Sequence, residues 1–403
     1  MKKRKLQRRK IIASAGMLVF LLSWLSGCRS EQGAAPTEMT DVQTVESIAE
    51  PTIEPVGDGA TNKQLLEAAE SYRDLYERAV SENTLGSLSV TEDIVNWLGE
   101  LGYATVDTEN QNQVNMTNPE LVEQFCSLVE NHQDGECTLI SVMQNGGLIY
   151  YQLQAKTGEV SVSRDVLQWN QGRPEITDED DYKAYHWQYS DGYLFFDKEL
   201  PAGYDGAVGF TAVRVQPLDE KCRELNRQYI LPVSYQSNGM FLTDWSEEDF
   251  SHFDFDDMFD RLYPYVYGTV TPYEQGVDGM QYLVPAEEYE KVIMTYFRID
   301  QDTLRRYTAY TEQGYEFRTR GFEDSVSSPV LPFPEVVSYT NHEDGTITMT
   351  VNAVWPQMHL SRAISHEVTV RPMEDGTYQY VSNHMIILED SVEPEWYSEK
   401  IRN

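Results

Sequence analysis

The sequence predicts an α+β fold, with helices and an antiparallel meander first and a helix followed by an antiparallel sheet at the end. Three observations predict it. Apolar residues recur at helical spacing between Leu65 and Val129, and the period drops to two at Thr138. Two Asp-Gly turns also share the tetrapeptide Glu-Asp-Gly-Thr, at 343–346 and 374–377, each between alternating strands.

The elements follow in order. Leu65, Leu66, Ala69, Tyr72, Leu75, Tyr76 and Ala79 define one amphipathic helix. Ser89 with Glu92 reads as a capping box for a second, which carries Ile94, Val95, Leu98 and Leu101 and stops at Gly102. Asn118-Pro119 suits the cap and first position of a third, whose inner face would hold Leu121, Val122, Phe125, Cys126 and Val129. Strands 138–143, 148–155 and 159–167 then alternate across Asn145-Gly146-Gly147 and Lys156-Thr157-Gly158, a meander. A hairpin through His186–Tyr189 and Tyr193–Phe196 turns at Asp191-Gly192. Strand 210–215 leads to a helix over 219–229, and a loop-rich aromatic stretch runs from Ile230 to Tyr282. Tyr289, Val292, Ile293 and Tyr296 share a face of a helix over 286–297, ahead of the two twin-turn hairpins. By fold analogy alone, a helix ahead of an antiparallel sheet suggests a cystatin-like or nuclear-transport-factor-2-like unit. The expected division is a leader (1–27), a Pro-, Thr- and Glu-containing tether (28–60), an α+β domain (61–172), an aromatic-rich middle (173–285) and a C-terminal α+β domain (286–403).

The leader has a basic head, an apolar run from Ile11 to Leu25, and the closing residues Leu25-Ser26-Gly27-Cys28. That order describes a secretory signal peptide, and the last four residues look like a bacterial lipobox. Cys28 is then the expected lipidation site, thioether-linked to diacylglycerol as the first mature residue. An uncleaved anchor helix is the competing reading, but the run is shorter than the ~20 residues a spanning helix needs. The chain has 31 basic and 66 acidic residues. The leader holds seven of the basic ones and no acidic one, which leaves 24 against 66, a formal −42. A body so charged is repelled by nucleic acid and by anionic headgroups, so attachment falls to the lipid. Beyond Cys28, the cysteines are Cys126, Cys137 and Cys222. Three unbridged thiols are favoured, with a Cys126–Cys137 bridge left open.

Chemical motifs are scarce. Lys156-Thr157-Gly158 matches one motif of penicillin-recognising enzymes, but no serine stands three residues ahead of a lysine, so the tripeptide reads as a turn. Asp254, Asp256, Asp257 and Asp260 form the one candidate metal cluster, with oxygen ligands suited to calcium. An EF-hand loop would need Gly at its sixth position and Glu at its twelfth, and neither is in place. The interleaved Phe250, Phe253, Phe255 and Phe259 favour an amphipathic reading, with Ser246 and Asp249 capping a helix start. Paired carboxylates could serve a glycoside hydrolase, yet no signature picks out a pair. Aromatics make up 12% of the chain. They suit either a binding surface or the core of a β-rich body. The histidines (His132, His186, His252, His342, His359, His366, His384) are scattered, His359 and His366 being nearest to a pair. The sequence calls for no cofactor.

The stretch from Tyr72 through Val381 resembles a family of uncharacterised lipoproteins of clostridia-like gut Gram-positive bacteria, known only as a domain of unknown function. The resemblance is carried by Tyr72-Arg73-Asp74-Leu75-Tyr76, by the run from Leu218 to Arg227, and by Trp245-Ser246-Glu247-Glu248-Asp249-Phe250. Val292–Phe297 and Glu343–Thr348 extend it. It implies placement on the outer face of the cell membrane and brings no activity. The expectation is a non-enzymatic lipoprotein held to the bilayer through Cys28, its aromatic-rich middle binding an envelope protein or cell-wall glycan. A solute-binding lipoprotein of a transporter and a carboxylate-dependent surface hydrolase are the alternatives.

Overall fold

A computed structural model describes residues 59–400, apart from 109–112, 205–207, 275, 277–278, 322–323, 325–329, 389–390 and 399. The leader, Cys28 and residues 28–58 of the tether lie outside the described residues. The first helical pattern gives two helices, α1 (Gly59–Ser71) and α2 (Arg73–Glu82), instead of one. The break is at Tyr72, whose φ of −111° and ψ of 18° leave the helix. Its buried hydroxyl donates to Gly146 O at 2.8 Å, the carbonyl that also accepts from Trp169 Nε1 at 2.8 Å. Tyr76 stacks on Trp169 at 4.2 Å. The bend thus lets two tyrosines reach one turn of the neighbouring sheet.

Helix α3 (Leu88–Glu100) is capped by Ser87, whose Oγ accepts from Val90 N, and not by the expected Ser89–Glu92 box. Its end is a Schellman turn: Gly102 sits at φ +95°, Gly102 N donates to Gly99 O and Tyr103 N to Leu98 O. Helix α4 (Pro119–Glu130) starts where expected, but Asn118 does not cap it through its side chain. Asn118 stands at φ +50° and donates from Nδ2 to Gly99 O (2.9 Å) and Tyr103 O (2.8 Å), tying α4 to the end of α3. Replacing Asn118 by Ala removes both bonds and strains the backbone, so denaturant titration should show a loss of about 2 kcal/mol; Asn118→Gly, which relieves the strain alone, should lose about half that. Of the expected α4 face, Val122, Phe125, Cys126 and Val129 are buried, whereas Leu121 is exposed.

The meander becomes a five-stranded sheet: β1 (Ala104–Asp107), β2 (Gly135–Val142), β3 (Leu148–Lys156), β4 (Glu159–Asn170) and β5 (Arg173–Lys183), in that order. Strand β1 is parallel to β2, and the other pairs are antiparallel. Lys156-Thr157-Gly158 is indeed turn, with Thr157 at φ +52° and Gly158 at +87° between β3 and β4. A three-stranded sheet follows, β6 (His186–Ser190), β7 (Tyr193–Asp197) and β8 (Phe210–Arg214).

Beyond β8, α5 (Glu220–Leu225) is capped by Asp219 and runs on into a π turn, Asn226–Ile230. Strand β9 (Trp245–Ser246) and helix α6 (Phe255–Tyr267) come next, then β10 (Gln281–Val284), α7 (Ala286–Tyr296), α8 (Gln301–Tyr307), β11 (Tyr310–Thr311) and β12 (Gly314–Arg318). Strands β13 (Phe333–Asn341), β14 (Ile347–Val354), β15 (Ser365–Pro372) and β16 (Tyr378–Ile386) build the last sheet in the order β13-β14-β15-β16-β9. Its twin turns are closed alike: Asp344 Oδ1 accepts from Thr346 N and Oγ1, and Asp375 Oδ1 from Thr377 N and Oγ1.

The described residues form one compact unit with two main cores. One lies under the first two sheets, and a satellite beneath α1–α3 adds Leu65, Tyr72 and Leu98. The other spans Cys222 to Trp396. Residues 173–285 divide: Tyr182, Leu194, Phe196 and Val213 lie in the first core and α5–α6 in the second, while Tyr193, Phe195 and Ala212 cluster with Phe333 and Val354; position 172 falls within the β4–β5 turn. The aromatics of the middle divide: Tyr185, Tyr204 and Tyr265 are exposed, while a cluster around Trp245 is buried. Trp245, Phe250, Phe253 and Phe255 pack ring against ring with Phe297 in the second core, so these rings take the core-filling alternative. At the seam between cores, the Tyr193 hydroxyl and Arg214 Nη1 both donate to the Glu335 carboxylate at 2.8 Å. His359 Nε2 lies 3.0 Å from Asp197 Oδ2, and Ser361 Oγ donates to Asp191 Oδ2.

Candidate functional site

The acidic run 254–260 begins α6, and each aspartate has a distinct task. Asp254 is the cap: its Oδ1 accepts from the backbone of Asp256 and Asp257, so the helix starts here and not from Ser246 and Asp249. Ser246 instead lies in β9. Asp256 accepts from the Tyr289 hydroxyl at 2.7 Å and from Arg318 N, linking α6 to α7 and β12. Asp260 accepts from Thr271 Oγ1. Asp257 is 3% exposed and doubly paired. Arg320 grips both its oxygens, Nε at 3.0 Å and Nη2 at 2.7 Å, and Lys400 Nζ stands 2.8 Å from Oδ1. The four aspartates therefore diverge into internal bonds. Among the described residues, no group of three His, Cys, Asp or Glu side chains is placed to hold a metal ion.

Of the four, Asp254 stands in the wall of a cleft of about 470 Å³. Three segments converge on it. The loop before β9 brings Gly239, Met240 and Thr243; the entry to α6 brings Ser251, His252, Phe253 and Asp254; the C-terminal segment brings Tyr397 and Lys400. That last segment is held by Arg320 Nη1, which donates to Ser398 O at 2.8 Å, and the Arg320 guanidinium also lies over the Tyr397 ring. Gly239 permits the close approach, since a Cβ there would fall 2.8 Å from Tyr397 Oη.

Charge in and behind the cleft is matched. Lys400 is pressed down by burial, but Asp257, Asp254 and Asp256 outweigh that and raise its pKa, so it stays a cation. Burial, then Asp254, pushes Asp256 up to about 6 against the pull of Lys400. Burial likewise lifts Tyr397 to about 12, so it remains a neutral hydroxyl. The groups a sequence reading omits are Arg320, Tyr397 and Lys400, far from Asp257 along the chain and without a motif to join them.

The remaining candidates serve the interior. Cys126, Cys137 and Cys222 are buried free thiols, and burial pushes Cys126 and Cys137 each up to about 12. His359 and His366 part company: His359 stacks on His186 at 3.9 Å, while His366 is fully enclosed in the second core. No helix among the described residues is long and apolar enough to cross a membrane.

A family described as "Family of unknown function (DUF6070)" matches residues 59–400. The chain belongs to that family. No curated protein and no solved structure matches it. The span of the DUF6070 domain starts with α1 and reaches Lys400, so all three segments of the cleft lie inside it.

Proposed function

We propose that this protein is a membrane-anchored, extracytoplasmic lipoprotein of a clostridia-like Gram-positive bacterium, and that it binds an envelope component without turning it over. The anchoring rests on one observation, Cys28 at the end of Leu25-Ser26-Gly27 behind a basic and apolar leader. Two acyl chains on that cysteine supply stable attachment where one would be marginal. The body needs that lipid because its acidic excess opposes contact with anionic headgroups.

Binding is favoured over hydrolysis by the state of the cleft's carboxylates. A glycoside hydrolase requires two carboxylates free to exchange protons or attack. Here Asp254 lines the cleft while capping a helix, and Asp257 behind it is locked to Arg320 and Lys400. Growth with labelled fatty acid tests the anchor. The wild-type chain should carry label, Cys28→Ala should lose essentially all of it, and both should melt at the same temperature. A wild-type chain that takes up no label overturns the reading.

A further inference from the structure

We infer that the cleft between the 239–243 loop, the entry to α6 and the C-terminal segment is a binding site for a neutral saccharide. The inference rests on the envelope-binding reading and names its ligand class. Size comes first: about 470 Å³ is within the ordinary range for small-molecule sites, roughly 300–1,000 Å³.

Charge narrows the class. Lys400 in its lining and Arg320 behind it are both committed to Asp257, so an anionic ligand finds no surplus positive charge. The formal −42 of residues 28–403 further opposes an anion's approach. A cation would meet Asp254, but Lys400 Nζ lies 3.7 Å from that carboxylate and already offsets it. A ligand without net charge disturbs neither pair.

The wall chemistry fits hydroxyl groups over apolar faces. Asp254 uses Oδ1 for the cap, with side-chain exposure of 24% towards solvent, which leaves its carboxylate able to accept from a hydroxyl. Ser251 and His252 stand exposed at the rim as further polar partners. Met240, Phe253 and Met258 give the carbon-bound faces of a sugar ring an apolar wall. Such a site, mostly shape with a few placed polar groups, is how small neutral ligands are held.

The test is an array of neutral and acidic oligosaccharides probed with the full chain in detergent, so that its outcome does not depend on acylation of Cys28. One or more neutral saccharides should be retained, and acidic ones should bind at least tenfold less. Ser251→Trp, a rim substitution outside the core, should abolish retention. Asp254→Asn keeps a capping oxygen and should weaken it about tenfold or more, the expected loss for a hydrogen bond to a charged group. No retained neutral saccharide on the folded protein, or retention that Ser251→Trp leaves unchanged, overturns the inference. Loss of fatty-acid labelling with saccharide binding intact would instead overturn the anchor alone.

Discussion

Asp257→Ala should destabilise the fold by about 3–5 kcal/mol, because it leaves buried cations without their counter-charge. Arg320 is 8% exposed and meets both Asp257 oxygens, and Lys400 Nζ lies 2.8 Å from Oδ1. After the substitution Lys400 retains Asp254, at 3.7 Å, and the weaker field of Asp256. The attraction within such a pair is largely offset by the desolvation of forming it, so removing both charges hurts less than removing one. Combining Asp257→Leu with Arg320→Met should therefore lose less than the two single losses added together, by more than about 1 kcal/mol in denaturant titration. Strictly additive losses would show that the pair is uncoupled. The consequence reaches the cleft, since Arg320 and Lys400 hold the C-terminal segment against α6. Limited proteolysis should cut Asp257→Ala near Tyr397 faster than it cuts the wild type there.

Features that depend on neighbours in the chain were legible in the sequence. The turns at Thr157-Gly158, Asp191-Gly192, Gly345 and Gly376 need positive φ, and each residue pattern announces it. Helix α7 buries Tyr289, Val292, Ile293 and Tyr296 as its spacing requires. What escaped was set by distant partners. Strand β5 carries Glu175, Asp178, Glu179, Asp180 and Asp181, whose charges hide any strand period, yet it pairs with β4 along its length. Strand β1 has four residues, too few to establish a period. The break at Tyr72 answers to Gly146, and the two residues of β9 join the last sheet through β16. For the candidate site the same division holds. The acidic run was visible as a cluster, but whether it would face a metal or an arginine was decided by Arg320 and Lys400, from other elements.

The aromatic content makes the same point about composition. Stacking and core filling use the same residue types, so density alone does not separate them. The separation comes from the sheet: Met349, Val351, Val368 and Val370 are buried on β14 and β15 in one core with the rings of α6 and α7. The polar cleft lies beside that aromatic core and shares Met240, Phe253 and Met258 with it.

His366, in β15, should make stability pH-dependent. It is wholly buried, with Nδ1 2.7 Å from Asn383 Oδ1 and Nε2 2.9 Å from the Tyr235 hydroxyl. Asn383 Nδ2 donates to Thr243 O, which turns Oδ1 towards the imidazole. Nδ1 must therefore carry the proton and Nε2 accept from Tyr235, a neutral ring with both nitrogens used. Burial lowers the pKa from 6.5 to about 4, and the Asn383 bond only partly opposes it. A depressed histidine contributes stability in full above 6.5, and loses it as pH falls through that value towards 4. Asp165, raised to about 6 chiefly by burial and by Glu179, and Asp256, also near 6, act in the opposite sense, since each adds stability as pH falls from 6 towards 3.8. The difference between wild type and His366→Phe isolates the histidine. At pH 7.5 the variant should be less stable by about 2–4 kcal/mol, having stranded the Tyr235 hydroxyl and Asn383 Oδ1. By pH 4 that gap should shrink by about 3 kcal/mol, because only the wild type must then protonate a buried ring. A gap constant from pH 7.5 to 4 would mean that His366 titrates normally. The cleft shares in the outcome: Thr243, at the far end of the His366–Asn383 chain, is one of its lining residues, so acid that breaks the chain should also weaken whatever the cleft holds.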